Sequence, residues 1–255
     1  MAARPTPTLI QIEEREIGRS VNGLPITAHT VGTGEPVIAL VGGIHGGYEW
    51  NTILLSYALL DHYRAQPSED VTLIVIPSGN PDGQRLITGS DERFRMADVT
   101  MEDTAPGRFN GNGVDLNRNW ACEWQPEARW RDRTVSGGTA AFSEPEAIAL
   151  RDYLAAIRPN VTIFYHSAAN GVFTGQCGDE QADETLRLST LYADAAGYPL
   201  YSEWSAYPIT GDASDYLNTL GLASFTVELV NQIDLDFDKN IAGVEAIIET
   251  VSSEQ

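Results

Sequence analysis

Residues 37–66 read "VIALVGGIHGGYEWNTILLSYALLDHYRAQ". Their first five residues, "VIALV", form a continuous apolar run of strand length, the pattern of a strand covered on both faces. From Glu49 onward the period changes. Ile53, Leu54, Tyr57, Ala58 and Leu60 recur at helical spacing. The stretch is therefore a strand, a glycine-rich turn and a helix. His45 and Glu49 stand four positions apart in that turn. They either hold a metal or punctuate the passage from strand to helix, and residues 42–51 alone leave both readings open.

The pattern repeats along the chain. "VTLIVI" (71–76), "NVTIFY" (160–165) and "SFTVEL" (224–229) are further buried strands, and helices are expected over 144–157, 184–196 and 240–252. Ser143-Glu144-Pro145-Glu146 has the form of a capping box opening the first of these. Residues 15–31 read as two strands around an Asn22-Gly23 hairpin turn. Strands alternating with helices predict an α/β fold: one twisted, mixed, mostly parallel sheet with helices on both faces. No repeat or linker interrupts the order, so residues 1–255 read as a single domain. The segment from about 78 to 140 is rich in Gly, Pro, Asn, Asp and Arg and has little periodicity. A loop region that long inside a compact domain is usually functional.

With 16 basic and 36 acidic residues the formal charge is −20, and the sequence pI is about 4.4. Such a surface repels phosphate backbones, which argues against nucleic acid as a partner. Lys239 is the single lysine. No apolar run reaches the roughly 20 residues needed to span a bilayer. The opening "MAARPTPTLI" lacks the regions of a signal peptide; the expectation is a cytosolic protein or a mature chain whose signal has been removed. Cys122 and Cys177 are either two unrelated thiols or one disulfide.

In open α/β sheets, ligands bind beyond the carboxyl ends of the strands. His45 and Glu49 follow the first buried strand, Asn80-Pro81-Asp82-Gly83 the next, and His166 the third. Glu228 is an acid inside the otherwise apolar fourth. Four strand ends thus send two histidines, two glutamates and a turn to one edge. Two histidines and a carboxylate form a catalytic zinc set, with His45 and Glu49 close together and His166 far downstream. Glu228 remains free to act as a base. "RFNGNGVDLNRNW", residues 108–120, adds Arg108, Asp115, Asn117 and Arg118. An arginine fork beside an asparagine is suited to gripping a carboxylate.

In this order, "GGIHGGYEW", "NPDG", "GVDLNRNW", "FSEPE", "YHS" and "FTVEL" resemble the zinc metallocarboxypeptidases of the carboxypeptidase A/B superfamily, from about residue 15 to 252. The resemblance implies a sheet of about eight strands and one zinc ion held by His45, Glu49 and His166. One departure stands out: the family's first motif is usually His-x-x-Glu, and here the spacing is one residue longer. Two glycines let the turn absorb it, and Trp50 after Glu49 matches the Glu-Trp often seen in the animal enzymes.

The resemblance also implies roles. Asp115 orients the first ligand histidine; Glu228 takes a proton from the zinc-bound water and passes it to the leaving amine. Arg108 polarises the scissile carbonyl and stabilises the oxyanion, and Asn117 with Arg118 binds the substrate's terminal carboxylate. Tyr207 aligns with a mobile tyrosine that closes over substrate. Asp212 and Ser214, in "ITGDASDYL", are candidates for the pocket that takes the departing side chain. An acid there calls for Lys, Arg or diaminopimelate; alternatively, Asp212 only caps the turn after Gly211. His29 and His62 match no family position. The Cys122 and Cys177 loops follow the Arg118 and His166 segments, so a disulfide is expected, with a secreted or periplasmic home. The expected activity is release of a C-terminal amino acid from a peptide by a monomer that has no membrane partner and resembles the compact bacterial members. The rivals are murein peptide amidase activity on D-glutamyl-diaminopimelate bonds and small-molecule N-acyl amino acid deacylation.

Overall fold

The structure, a computed structural model, describes residues 13–178 and 182–254. The opening stretch read for a signal peptide lies outside them. In chain order the elements are β1 (Glu13–Arg19), β2 (Pro25–Gly32), β3 (Val37–Val41), α1 (Trp50–Ala65), β4 (Thr72–Ile76) and α2 (Pro81–Thr88). There follow β5 (Glu127–Trp130), β6 (Arg133–Ser136), α3 (Pro145–Ile157), β7 (Val161–Ser167), β8 (Gly171–Thr174) and α4 (Asp183–Ala196). The chain closes with β9 (Leu200–Tyr201), α5 (Ala213–Thr219), β10 (Ser224–Leu229) and α6 (Phe237–Ser253).

Eight strands form one mixed sheet in the order β1-β2-β4-β3-β7-β10-β8-β9, and β5 with β6 forms a separate hairpin. The four central strands, β4, β3, β7 and β10, are mutually parallel. Strand alternation divides the core between the two faces. Ile38 and Leu40 of β3 join Leu55 and Leu59 of α1, Leu188 and Tyr192 of α4, and Val244 and Ile247 of α6. Ala39 and Val41 point the other way, to Leu150 and Leu154 of α3, Leu217 of α5 and the fully buried Trp120. The hairpin turn is present, with Gly23 at φ +79° and its amide donating to Ser20 O. From β3 the chain proceeds to β4 on one side, while β7 and β10 lie on the other. The switch point thus falls between β3 and β7, where such sheets open a crevice beyond their carboxyl ends.

Two expectations are corrected. Residues 78–140 are not one loop. They contain α2, the β5–β6 hairpin and three short 3-10 turns. Asn80 caps α2 by accepting from the Gly83 amide, and Pro81 occupies its first turn, a start signal present in "NPDG". The capping box at Ser143 does not form. Glu144 occupies the cap position without a side-chain cap bond. The Ser143 hydroxyl donates to Glu144, and Glu146 reaches across the fold to accept from the Val21 amide and Asn110 Nδ2. Tertiary donors outcompete the local ones.

Candidate metal centre

His45 follows β3, and residues Gly46–Glu49 form a 3-10 turn leading into α1. This turn absorbs the extra residue between the two ligands. Gly46 adopts φ +44°, and a Cβ there would lie 2.7 Å from Gly107 O; one on Gly47 would meet Ile87 at 2.5 Å. Only glycine permits both the backbone angle and the approach. His166 sits near the end of β7, directly opposite Glu228 in the parallel β7–β10 ladder.

The three side chains meet. Glu49 Oε1 lies 2.8 Å from His45 Nδ1, Glu49 Oε2 lies 3.0 Å from His166 Nδ1, and the two Nδ1 atoms are 3.1 Å apart. All three residues are buried, with ligating atoms within 4.8 Å of one another. Burial acts to raise the Glu49 carboxyl, but His45 and His166 outweigh it and hold the group well below the usual carboxylate range. Two imidazole nitrogens converging on an ionised carboxylate suit a divalent zinc ion.

Around them lies a second layer. Asp115, fully buried, sits 3.3 Å from His45 Nε2 and accepts from Arg108 Nε at 2.7 Å. Burial raises its carboxyl, yet Arg108 and His45 prevail and keep it ionised. Arg108 Nη1 is 3.2 Å from His45 Nδ1, and its guanidinium lies 4.6 Å from the Trp130 ring centroid. Its carbonyl accepts from Asn80 Nδ2, which links α2 to the site. Glu228 accepts from the Ala169 amide at 3.1 Å. Burial, with the nearby Glu49 charge, pushes its carboxyl up to about 7 against the opposing effects of His166 and Arg108.

A 590 Å³ cavity opens over this layer and is lined by His45, Glu49, His166 and Glu228, by Arg108, Asn117 and Arg118, and by Tyr207, Asp212 and Ser214. Arg118 is 1% exposed; its Nε and Nη1 donate to the carbonyls of Arg129 and Asn117, and no carboxylate lies within ion-pair distance of it among the described residues. Asn117 donates to Asp212 Oδ2 and accepts from the Ala213 amide. Tyr207 lies half-buried on the wall with its ring against Trp204. Asp212 caps α5, accepting from the Ser214 and Asp215 amides and the Ser214 hydroxyl. Its oxygens are therefore occupied by protein donors. The freer acid is Asp215, one helical turn on, which among the described residues accepts only from the Gln176 amide. Burial and the neighbouring Asp212 raise its carboxyl well above the ordinary range. Its signal was the Asp-x-x-Asp spacing of "DASD". Cys122 and Cys177 are joined, with Cα atoms 5.7 Å apart. His29 and His62 lie away from the cavity: His29 contacts Glu14 and Arg64, and His62 packs on Phe237. Among the described residues no helix is long and apolar enough to cross a membrane.

An α/β sheet that gathers two histidines and a glutamate at its switch point, with a further glutamate alongside, defines a zinc metallopeptidase, and zinc is its cofactor. A profile of the zinc carboxypeptidase family matches residues 6–241, and the chain belongs to that family. It is 23% identical over 238 residues to γ-D-glutamyl-L-diamino acid endopeptidase 1 of Lysinibacillus sphaericus, covering 84% of this chain and 59% of that protein. It is 26% identical over 161 residues to a zinc carboxypeptidase of Simulium vittatum, covering 59% and 50%. The chain thus spans 59% and 50% of the length of these two curated relatives. Carboxypeptidase A of Helicoverpa armigera has the same fold, with TM-score 0.70, 21% identity, and coverage of 96% of this chain and 69% of that one. So does the murein-tripeptide amidase MpaA of Escherichia coli, with TM-score 0.65, 23% identity, and coverage of 94% and 91%.

Proposed function

We propose that the protein is a metallocarboxypeptidase that hydrolyses the amide bond before a C-terminal residue bearing a free carboxylate. One observation carries this reading: the Arg118 guanidinium is buried at the cavity wall with no carboxylate at ion-pair distance among the described residues. An uncompensated buried charge is costly, and a substrate carboxylate is the anion that completes it. Asn117 Nδ2 keeps one N–H beyond its bond to Asp212 and stands beside that carboxylate.

A zinc ion held by His45, Glu49 and His166 supplies a Lewis acid at the scissile carbonyl. Asp115 holds the His45 ring by its Nε2 edge and fixes the Arg108 guanidinium. Arg108 donates to the oxygen on which charge develops. Glu228 takes the proton of the attacking water and delivers it to the leaving amine, restoring its carboxylate. Tyr207 covers the departing residue. Asp215, with Ser214 on the same wall, receives a cation at the far end of that residue. The released amino acid is therefore one with a carboxylate at one end and an ammonium or guanidinium at the other.

That pairing also favours a second reading, cleavage of γ-D-glutamyl-diaminopimelate bonds in murein peptides; the Lysinibacillus relative is named for γ-D-glutamyl-L-diamino acid bonds. The Cys122–Cys177 bridge supports a secreted or periplasmic location, where disulfides persist. The test compares acetyl-Ala-Ala-Lys with its C-terminal amide and with a γ-D-glutamyl-diaminopimelate fragment. The free acid should be cleaved and the amide not. Equal cleavage of acid and amide removes the carboxypeptidase reading, and a large preference for the murein fragment selects the second.

A further inference from the structure

Residues 127–136 place Arg129, Arg131 and Arg133 within five positions of a chain in which acids outnumber bases 36 to 16. All three are exposed, and among the described residues none has a carboxylate within ion-pair distance. In so acidic a protein, leaving three arginines uncompensated on one hairpin is a feature to be explained. The hairpin also has a hard floor. Trp130 is 5% exposed, with the Arg131 and Arg133 guanidinium carbons 5.7 and 5.6 Å from its ring centroid and that of Arg108 at 4.6 Å. Cations lying on an indole are partly ordered before any ligand arrives.

The tip of this hairpin has a defined place relative to the zinc. Arg131 lines the catalytic cavity and also a second cavity of 290 Å³, and the two share the Tyr48–Trp130–Arg131 wall. Asp215, Gln176 and Arg118 line only the first. The hairpin starts beside Arg118, whose Nε donates to the Arg129 carbonyl, and runs to the Tyr48–Trp130–Arg131 wall, so for a substrate whose departing residue lies at Arg118 and Asp215 the second cavity offers the acyl portion a path along that wall. Arg108 donates Nε to Asp115 there and is assigned to the oxygen on which charge develops, so a further anion on the acyl side calls for another cation. Glu102, Asp103 and Asp132 share the second cavity but lie beyond ion-pair distance of Arg131 and Arg133.

We propose that Arg131, flanked by Arg133, binds a carboxylate on the acyl side of the scissile bond and so selects substrates with an acidic residue before the departing one. This rests on the carboxypeptidase reading above for the direction in which substrate lies. A guanidinium reads a carboxylate through paired N–H donors, and the site takes equally a glutamate side chain in an ordinary peptide or the free α-carboxylate of a γ-linked glutamate.

The experiment uses acetyl-Ala-Glu-Lys and acetyl-Ala-Gln-Lys. The wild-type enzyme should favour the Glu peptide in kcat/KM by about tenfold, equivalent to about 1.4 kcal/mol, with the preference shrinking as salt rises. In Arg131→Gln the Glu-to-Gln ratio should collapse toward one, and Arg131→Lys should restore part of it, which a merely structural role for the tip would not do. Equilibrium binding of the same two peptides to zinc-loaded Glu228→Gln, with and without Arg131→Gln, reads the site without turnover. If neither peptide is hydrolysed but the Glu peptide binds better through Arg131, the carboxypeptidase reading falls and the arginine site stands. Equal binding of the two peptides, or a preference that survives in Arg131→Gln, overturns the inference.

Discussion

Removing the Cys122–Cys177 bridge, by the double substitution Cys122→Ala/Cys177→Ala, should cost stability through the unfolded chain. The bridge closes a loop of 55 residues. The chain-entropy relation assigns such a closure about 4 kcal/mol at 25 °C. Little of this should be lost or gained in the native state, because the same segment is held in other ways. Trp120, fully buried, donates from its amide to Gly211 O, and the Gly211 amide donates to Cys122 O at 2.7 Å. At about 2–4 °C per kcal/mol for a chain of this size, the melting temperature should fall by roughly 8–16 °C. Calorimetry of the parent with and without reductant, beside the double variant, measures it, and a thiol count on denatured, non-reduced protein should find none in the parent. The bridge also ties the Arg118 segment to the loop whose Gln176 amide holds Asp215, so KM should rise more than kcat falls. Two free thiols in protein made in an oxidising compartment, or a double variant within about 1 kcal/mol of the parent, would refute the reasoning.

Other outcomes follow from the site. Glu228→Gln should keep fold and zinc and lose about 10²–10⁴-fold in turnover; near-parental kcat would show that another group moves the proton. His166→Ala should lose most of its zinc by metal analysis, and full occupancy would dismiss it as a ligand. Asp215→Asn should trade specificity for stability. Burial raises the Asp215 carboxyl in the folded protein, so the native form loses stability as pH climbs from the ordinary carboxyl range, about pH 4, towards that raised value and loses no more above it, while below the ordinary range both states are protonated and the penalty vanishes. The variant's advantage in melting temperature should therefore grow with pH, and its preference for Lys- over Phe-ending peptides should disappear; a pH-independent difference would mean that Asp215 is paired in solution. Gly46→Ala should destabilise the ligand turn and lower zinc affinity, as measured by competition with a chelator.

Local physics made much of this molecule legible in its sequence. Continuous apolar runs such as "VIALV" leave a strand no option but burial on both faces, so four of them alternating with helices dictate a parallel-centred sheet. Residues that follow such strands must emerge at one edge, which is why His45, Glu49, His166 and Glu228 stand out as a set without coordinates. α2 was legible too, since Asn80 and Pro81 are ordinary start signals, but the weak periodicity of its surroundings masked them. Other features were settled by contacts between distant segments. Whether Glu146 caps its own helix or serves Val21 and Asn110 depends on donors 125 and 36 positions away. Which acid of "DASD" has its oxygens taken by protein donors depends on Asn117 and the α5 amides claiming Asp212 and leaving Asp215 its Gln176 contact. The arginine hairpin carries no periodicity or motif, and its place at the cavity follows from Trp130 packing beneath Arg108. Periodicity and caps act over a few residues and can be read along the chain; the partners of a buried charge are chosen across it, and only the tertiary structure names them.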